Sequence, residues 1–272
     1  MPAAEPPQDT YTHGHHESVL RSHRWRTAEN SAGYLLPHLR PGLDLLDVGC
    51  GPGNLTRDLA SRVAPGRVVG LDAAADVVAA AQADADVAGG EHVDFVVGDV
   101  YDLELDDDSF DVVHAHQVLQ HLSDPVGALC ELRRVVRPDG LVAVRDSDYA
   151  AMVWAPRDPR LDRWLTRYHE LTRINRAEAD AGRFLLGWAQ AAGFRDVVAS
   201  TSTWTFADEE SRGWWGDLWA DRVTQSAFAV QAVDHGLADE DELAELAAAF
   251  RAWAAAPDGF WAVLHGEVLA RA

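Results

Sequence analysis

Cysteine and basic side chains are both scarce in this 272-residue chain, and each shortage excludes a class of protein. The two cysteines, Cys50 and Cys130, lie in a glycine-rich run and in a predicted helix, so we expect no disulfide framework. The 23 basic residues are outnumbered by 44 acidic ones, which gives a formal net charge of −21. Such a surface repels phosphate backbones and anionic lipid, so we expect neither nucleic acid nor a membrane as a partner.

Long hydrophobic runs are also lacking. No uninterrupted apolar stretch approaches the ~20 residues of a membrane-spanning helix. The first residues, Met1 to Gln8, lack the apolar segment of a signal peptide. We therefore expect a cytoplasmic protein whose oligomeric state, including a homodimer, stays open. Apolar residues still make up 47% of the chain and ten are tryptophan, which favours a compact core.

Strand and helix patterns alternate over residues 43–145. This alternation predicts an α/β fold, a Rossmann-like doubly wound sheet with helices on both faces. The strands are predicted at Leu43–Val48, Arg67–Leu71, His92–Val97, Phe110–His116 and Leu141–Arg145. Helices are predicted at Asn54–Val63, Asp76–Ala88 and Pro125–Val136, the last of them followed by a turn at Pro138-Asp139-Gly140.

The segments that flank this region have helical patterns. Glu17–Leu36 is predicted as one helix, and Asp196–Phe206 and Phe260–Leu269 as late strands. Between the late strands, residues 207–256 are predicted to be helical. We therefore divide the chain into an N-terminal helical lid (1–36), a Rossmann-like core (37–206), a helical cap (207–257) and the last core strand (258–272).

A glycine-rich run, Asp47-Val48-Gly49-Cys50-Gly51-Pro52-Gly53-Asn54, follows the first strand and opens a helix. Glycines allow the backbone to turn sharply and to approach a ligand closely. NAD, FAD and S-adenosylmethionine (SAM) proteins all use such a loop. Asn54 stands where the dinucleotide fingerprint has its third glycine or alanine, and the Asp47 carboxylate would repel a pyrophosphate but attract the cationic SAM. An NAD(P)-dependent oxidoreductase and a non-catalytic SAM-binding module are the alternatives.

Two further acids follow the next two strands. Asp72 can accept hydrogen bonds from both hydroxyls of a ribose. Asp99 can accept from an adenine amino group while the Val100 N–H donates to a ring nitrogen. Each acid alone could instead be a helix cap or a turn residue. Three acids at successive strand ends beside a glycine-rich loop favour a binding site.

Taken together, these motifs resemble those of the class I SAM-dependent methyltransferases. The runs are DVGCGPGN, VVGLD, VVGDVYDLEL, FDVVHAHQVLQHLSDP and VVRPDGLVAVRDSDY, and they are most similar to the ubiquinone/menaquinone-biosynthesis-type branch, which is methyltransferase type 11-like. The stretch from Tyr11 to Asn30 resembles a bacterial natural-product subgroup. The resemblance implies a seven-stranded sheet whose last strand is antiparallel. It also implies that the glycine-rich loop faces the methionine part of SAM and that His116-Gln117-Val118 border the sulfonium.

The residues predicted to bind SAM come from the loop and from the four strand ends. They are Asp47, Gly49, Cys50, Gly51, Gly53, Asn54, Asp72, Ala73, Asp99, Val100, His116 and Gln117.

Methyl transfer from a sulfonium is an in-line displacement for which SAM supplies the activation. The protein must align the reactants and exclude water, and it needs a base only if the nucleophile carries a proton. His116 and His121 follow the fourth strand and are candidate catalytic residues, with a role as crevice walls as the alternative. Asp146 ends the fifth strand and is predicted to orient the acceptor. Tyr11 is predicted to close over SAM.

Aromatic residues late in the chain indicate the acceptor. We predict that Tyr149, Trp214, Trp215 and Trp219 contact a flat substrate, although aromatics at near-helical spacing also suit a core. The expected acceptor is a small, aromatic metabolite methylated at O, N or a ring carbon, with an indole or quinone-like ring as one form. His13, His15 and His16 have a spacing that could suggest a metal, but no cysteine or carboxylate cluster accompanies them, so no metal is predicted.

Overall fold

A mixed β-sheet forms the centre of the structure, a computed structural model that describes residues 9–14, 16–88 and 92–272. Its strands run in the order β3-β2-β1-β4-β5-β8-β7. The short β6 pairs with the first residues of β8, on the same side of β8 as β5. The strands are β1 (Leu45–Val48), β2 (Val68–Asp72), β3 (Val93–Val97), β4 (Phe110–His116), β5 (Val136–Ser147), β6 (Val153–Ala155), β7 (Asp196–Phe206) and β8 (Phe260–Arg271).

Strands β1 to β5 are mutually parallel, and β8 is antiparallel to its neighbours. The predicted Rossmann-like sheet with an antiparallel last strand is therefore confirmed. The chain leaves β1 towards β2 and β3 and then crosses back to β4, so the strand order reverses between β1 and β4. In an open α/β sheet, such a switch point forms a ligand crevice at the carboxyl ends of the strands.

Helices cover both faces of this sheet. Four of them, α6, α8, α9 and α10, pack together around a cluster of buried aromatic side chains that includes Trp164, Trp219 and Phe250. The helices are α1 (Glu17–Arg24), α2 (Ala28–Ser31), α3 (Asn54–Val63), α4 (Ala75–Ala88), α5 (Pro125–Val135), α6 (Pro159–Ile174), α7 (Leu185–Ala191), α8 (Glu209–Gln225), α9 (Ala227–Asp234) and α10 (Glu240–Ala255). Within the described ranges, no helix combines the length and the apolar character that crossing a membrane requires.

Two local predictions are wrong, and one short strand was missed. The single helix predicted over Glu17–Leu36 is interrupted after Arg24, because Thr27 caps a new helix by accepting a hydrogen bond from the Asn30 N–H. Strand β5 already begins at Val136, so the predicted turn at 138–140 is an irregularity within it, where residues 137–140 lie opposite Asp111 alone. Strand β6 was not predicted, and it pairs only with the end of β8.

Candidate active site

The acids and the histidine predicted from the sequence come together at one edge of the sheet. Asp47 lies in β1, Asp72 ends β2, Asp99 follows β3 and His116 ends β4. Since these strands are parallel, their carboxyl ends meet at the crevice between β1 and β4.

The glycine-rich loop needs its glycines for two different reasons. Gly49, Gly51 and Gly53 all have left-handed backbone conformations, with φ of +68°, +54° and +76°. A Cβ at Gly49 would overlap Val118, and one at Gly53 would lie 2.5 Å from Phe95, so packing excludes side chains there. A Cβ at Gly51 would instead lie 3.2 Å from Nδ1 of His23. A side chain at Gly51 would therefore press against the segment that covers the loop.

Asp72 fixes the loop to the end of β2. Its carboxylate accepts hydrogen bonds from the N–H groups of Gly51, at 2.9 Å, and Ala74, at 3.0 Å. A carboxylate offers about four lone-pair positions, so two remain for ribose hydroxyls. Asp99 is exposed and accepts from the Tyr101 N–H at 2.9 Å, and Ala73 and Val100 lie beside the two acids.

The segment between α1 and α2 lies across the loop. The side-chain amide of Asn54 donates to the carbonyl oxygens of His23, at 3.0 Å, and Arg26, at 2.7 Å. The Arg26 guanidinium in turn donates to Oε1 of Gln117 at 2.5 Å, just beyond β4. Arg26 therefore spans the crevice from the loop to the end of β4.

Two adjacent cavities lie beneath this segment and share His23 and Arg26 in their walls. The cofactor cavity adjoins the loop. The inner cavity lies against the helical layer. Of the predicted residues, the cofactor cavity is lined by Asp47, Gly49, Cys50, Asn54 and His116, and the inner cavity by Tyr11, Gln117, His121, Tyr149, Trp215 and Trp219.

Eight predicted residues line neither cavity. Six belong to the cofactor set, namely Gly51, Gly53, Asp72, Ala73, Asp99 and Val100, and the other two are Asp146 and Trp214. The side chain of Asp146 is fully buried beneath the turn at 119–121, where it accepts the Gln120 N–H at 3.1 Å, and burial raises its pKa to about 7. Trp214 packs against Trp25, with ring centroids 5.2 Å apart. The roles predicted for these two side chains therefore remain predictions, and neither side chain belongs to a cavity wall in this structure.

The candidate histidine His116 is buried and His121 is partly buried. Neither ring nitrogen of His116 has a hydrogen-bond partner among the described residues, and burial, with Arg26 and Arg145 nearby, lowers its pKa well below the ordinary value. Nε2 of His121 accepts a hydrogen bond from the Gln120 amide at 3.0 Å. Burial, followed by the charges of Arg26 and Arg222, lowers the His121 pKa to about 3. The neutral His116 ring therefore offers a free lone pair, whereas that of His121 is held by Gln120.

The N-terminal segment also lines the inner cavity. The Tyr11 ring packs edge-on against His121 at 4.7 Å, and Nε2 of His13 lies 3.0 Å from the Tyr168 hydroxyl oxygen. Thr12 and His13 are buried, so this segment contributes to the core as well as covering the site. His15, one of the three N-terminal histidines considered for a metal, lies outside the described residues.

Sequence reasoning missed several residues of the inner cavity. Arg26 was only part of a stretch quoted for its resemblance, and Arg222 was one of many arginines in a helical pattern. No local signal distinguishes a buried arginine from an exposed one. The other unpredicted wall residues include His23, Gln120, Ser147, Met152 and Trp204.

The donor set fits SAM. The cofactor cavity combines the loop residues Gly49, Cys50 and Asn54, the Asp47 carboxylate and the two ring nitrogens of His116, which have no partner among the described residues. With the sheet order and the antiparallel last strand, these features define the Rossmann-like fold of the class I SAM-dependent methyltransferases.

Comparison with known proteins agrees with that class. The profile of the methyltransferase domain family matches residues 46–144. An uncharacterized methyltransferase of Schizosaccharomyces pombe is 32% identical over 267 residues, which cover 95% of each chain. The protein belongs to the SAM-dependent methyltransferases, and SAM is its cofactor.

Two other similarities are more limited. The demethylmenaquinone methyltransferase of Lactococcus lactis is 32% identical over 112 residues, which cover 41% of this chain and 44% of that protein. The structure of phosphoethanolamine N-methyltransferase 2 of Haemonchus contortus, in complex with phosphomonomethylethanolamine and S-adenosylhomocysteine, superposes with a TM-score of 0.59 at 16% identity. It covers 94% of this chain and 57% of the other, a likeness of fold.

Proposed function

We propose that this enzyme methylates a small, aromatic metabolite in the cytoplasm, at an oxygen, a nitrogen or a ring carbon. The observation that carries the proposal is the inner cavity, which adjoins the cofactor cavity and has aromatic walls. A flat ring that enters it lies next to the position from which a methyl group is transferred.

The walls of the inner cavity suit a ring with a few polar substituents. Tyr149, Trp204, Trp215 and Trp219 provide large apolar surfaces. Between them lie the side chains of Gln120, His121 and Ser147, which donate or accept hydrogen bonds. An apolar pocket with few polar groups is typical of small-molecule sites, where the polar groups fix the orientation.

Within this proposal, SAM supplies the activated methyl group and the chain positions both reactants. Arg26 lines both cavities, and its guanidinium suits the carboxylate of the methionine part. Asp72 and Asp99 hold the ribose and the adenine as the resemblance implies. Tyr11 and His13 close the inner cavity and exclude water from the reacting atoms.

The partial similarity to a demethylmenaquinone methyltransferase supports a quinone-like ring as one form of the acceptor. The Trp-rich wall is equally suited to an indole. The stretch from Tyr11 to Asn30 supports a role in natural-product biosynthesis through its resemblance to that subgroup. The charge of −21 argues against nucleic acid as the acceptor.

A turnover assay tests the proposal. Purified enzyme and SAM are incubated with a panel of phenols, hydroquinones, indoles, aromatic acids and aliphatic amines, and S-adenosylhomocysteine is quantified. We expect turnover with at least one aromatic class, and its loss in Asp72→Ala. Turnover with aliphatic amines alone would contradict an aromatic acceptor.

A further inference from the structure

The charge of the inner cavity is opposite to that of the protein surface. None of the described residues that line this cavity is an aspartate or a glutamate, although the chain contains 44 acidic residues. Two arginines, Arg26 and Arg222, do line it. An aromatic acceptor that enters the inner cavity therefore meets positive charge and no carboxylate.

Arg222 is buried without a carboxylate partner among the described residues. Only 5% of its surface is exposed, and Nη2 donates to Oγ of Ser22 at 2.9 Å and to the Ser18 carbonyl at 3.4 Å. Nε has no hydrogen-bond partner. Its guanidinium carbon lies 4.6 Å from the centre of the Trp219 ring, so the group is held in place at the wall.

Two other arginines are buried among the described residues. Arg145 pairs with Glu267, whereas Arg212, like Arg222, has only uncharged acceptors, the carbonyl oxygens of Ala207 and Ala254. Leaving a buried charge without an ionic partner is costly, because the desolvation of the ion is not repaid. Arg212 lines neither cavity, but Arg222 lies in the wall of the inner cavity, and this position points to a partner that arrives from outside.

The chemistry of a guanidinium defines that partner. Its planar fork of N–H donors matches a carboxylate or another planar oxyanion, and such charge-assisted hydrogen bonds are stronger than neutral ones. Arg26 is less suited to the acceptor, because it also lines the cofactor cavity and its Nη2 is bonded to Gln117.

We infer that Arg222 binds an anionic oxygen group of the methyl acceptor, which is thus an aromatic carboxylate, phenolate or enolate. This inference rests on the proposed function, whose acceptor class it narrows. The ring of the acceptor packs against Trp215 and Tyr149, and its anionic group faces Arg222.

Matched pairs of ligands test this inference. Indole-3-acetate and indole-3-acetamide, benzoate and benzamide, and 2-naphthoate and 2-naphthamide differ in charge but hardly in shape. Their dissociation constants are measured by calorimetry on the enzyme saturated with S-adenosylhomocysteine. We expect the acid of at least one pair to bind roughly 10- to 100-fold more tightly than its amide, the range for a hydrogen bond to a charged group.

Variants test whether the tighter binding of the acid depends on Arg222. Arg222→Gln should remove the preference for the acid and leave the affinity for S-adenosylhomocysteine unchanged, and Arg222→Lys should retain part of it. Arg251→Gln, in a half-exposed arginine near Asp221, is the matched control and should behave as wild type. Equal binding of acid and amide in every pair, binding of neither, or a preference that persists in Arg222→Gln would overturn the inference.

The outcome separates this inference from the proposed function. Efficient methylation of a neutral aromatic, with no preference for acids, would sustain the proposed function and overturn the role of Arg222. Arg222-dependent binding of acids without methylation of any aromatic would sustain the role of Arg222 and contradict the aromatic acceptor.

Discussion

Nδ1 of His114 lies 2.7 Å from Oδ1 of Asp47, and both side chains are buried. The two residues are direct partners in the β1–β4 ladder, at the point where the strand order reverses. The other oxygen of Asp47 accepts from the Thr56 hydroxyl at 2.5 Å. The carboxylate is thus fixed from β4 and α3, so its position relative to the glycine-rich loop does not depend on a ligand.

Asp72→Ala should weaken the binding of SAM and S-adenosylhomocysteine by about 1–3 kcal/mol, the cost of leaving hydroxyl groups without their partner. It should also loosen the loop, since Asp72 holds the Gly51 N–H. Calorimetric titration measures the change. Asp76→Ala, in an exposed acid on α4, is the control, and an unchanged affinity in Asp72→Ala would argue against the placement of the ribose.

Gly51→Ala should weaken SAM binding, because the new Cβ lies 3.2 Å from Nδ1 of His23 and so displaces a side chain that lines the cofactor cavity. The left-handed φ of +54° adds backbone strain of about 1–2 kcal/mol. Gly236→Ala is a matched control, since its φ is +66° but no atom lies within 4 Å of the added Cβ. Both variants should lose similar stability in thermal unfolding. Only Gly51→Ala should lose SAM affinity, and retained affinity would contradict this account of the loop.

Trp215→Phe should raise the KM for the acceptor several-fold and leave SAM affinity unchanged, since a cavity wall contributes uniform binding. Trp214→Phe is the control, because its ring lines neither cavity. Steady-state kinetics with the acceptor found in the turnover assay distinguishes the two. An equal effect of both substitutions would show that Trp215 acts through packing alone.

His121 should not titrate near neutral pH, because burial and the charges of Arg26 and Arg222 hold its pKa at about 3. NMR titration of the ring protons measures this pKa. Arg222→Gln removes one of these charges, so the pKa of His121 should rise. If His121 is nevertheless the base, His121→Gln should lower kcat by roughly two to four orders of magnitude. An unchanged kcat would indicate a nucleophile that needs no base.

Asp146→Asn should change the pH dependence of stability. The folded-state pKa of Asp146 is raised from 3.8 to about 7, so the folded protein retains a proton that the unfolded chain releases. The stability contributed by this group is complete below pH ~4 and is lost as the pH rises to about 7. Asparagine does not ionise. The free energy of unfolding of the variant, relative to that of wild type, should therefore rise by a few kcal/mol between pH 4 and 8.

Denaturant unfolding at several pH values measures this gain. Glu104→Gln, in an exposed acid, should show no such trend. A difference between Asp146→Asn and wild type that does not vary with pH would contradict the raised pKa.

The sheet could be predicted from the sequence, and so could the placement of three acids at the carboxyl ends of its strands. Alternating strands and helices specify a parallel sheet, and each of Asp47, Asp72 and Asp99 belongs to a strand end. Their positions follow from the strands they terminate, because parallel strands bring their carboxyl ends to one edge. The role of the glycines could also be predicted from the sequence, since the backbone conformation at each depends on a few consecutive residues.

The acceptor side could not be predicted without the packing of distant helices. Trp214 and Trp215 are neighbours in α8, yet Trp214 packs against Trp25 and only Trp215 lines the inner cavity. Successive residues of a helix point about 100° apart, and the packing of the helix selects which of them faces the cavity. The same holds for Arg222, whose hydrogen bonds reach α1, about 200 residues earlier in the chain. A pattern within one segment carries no information about such contacts, because they arise only when distant helices pack together.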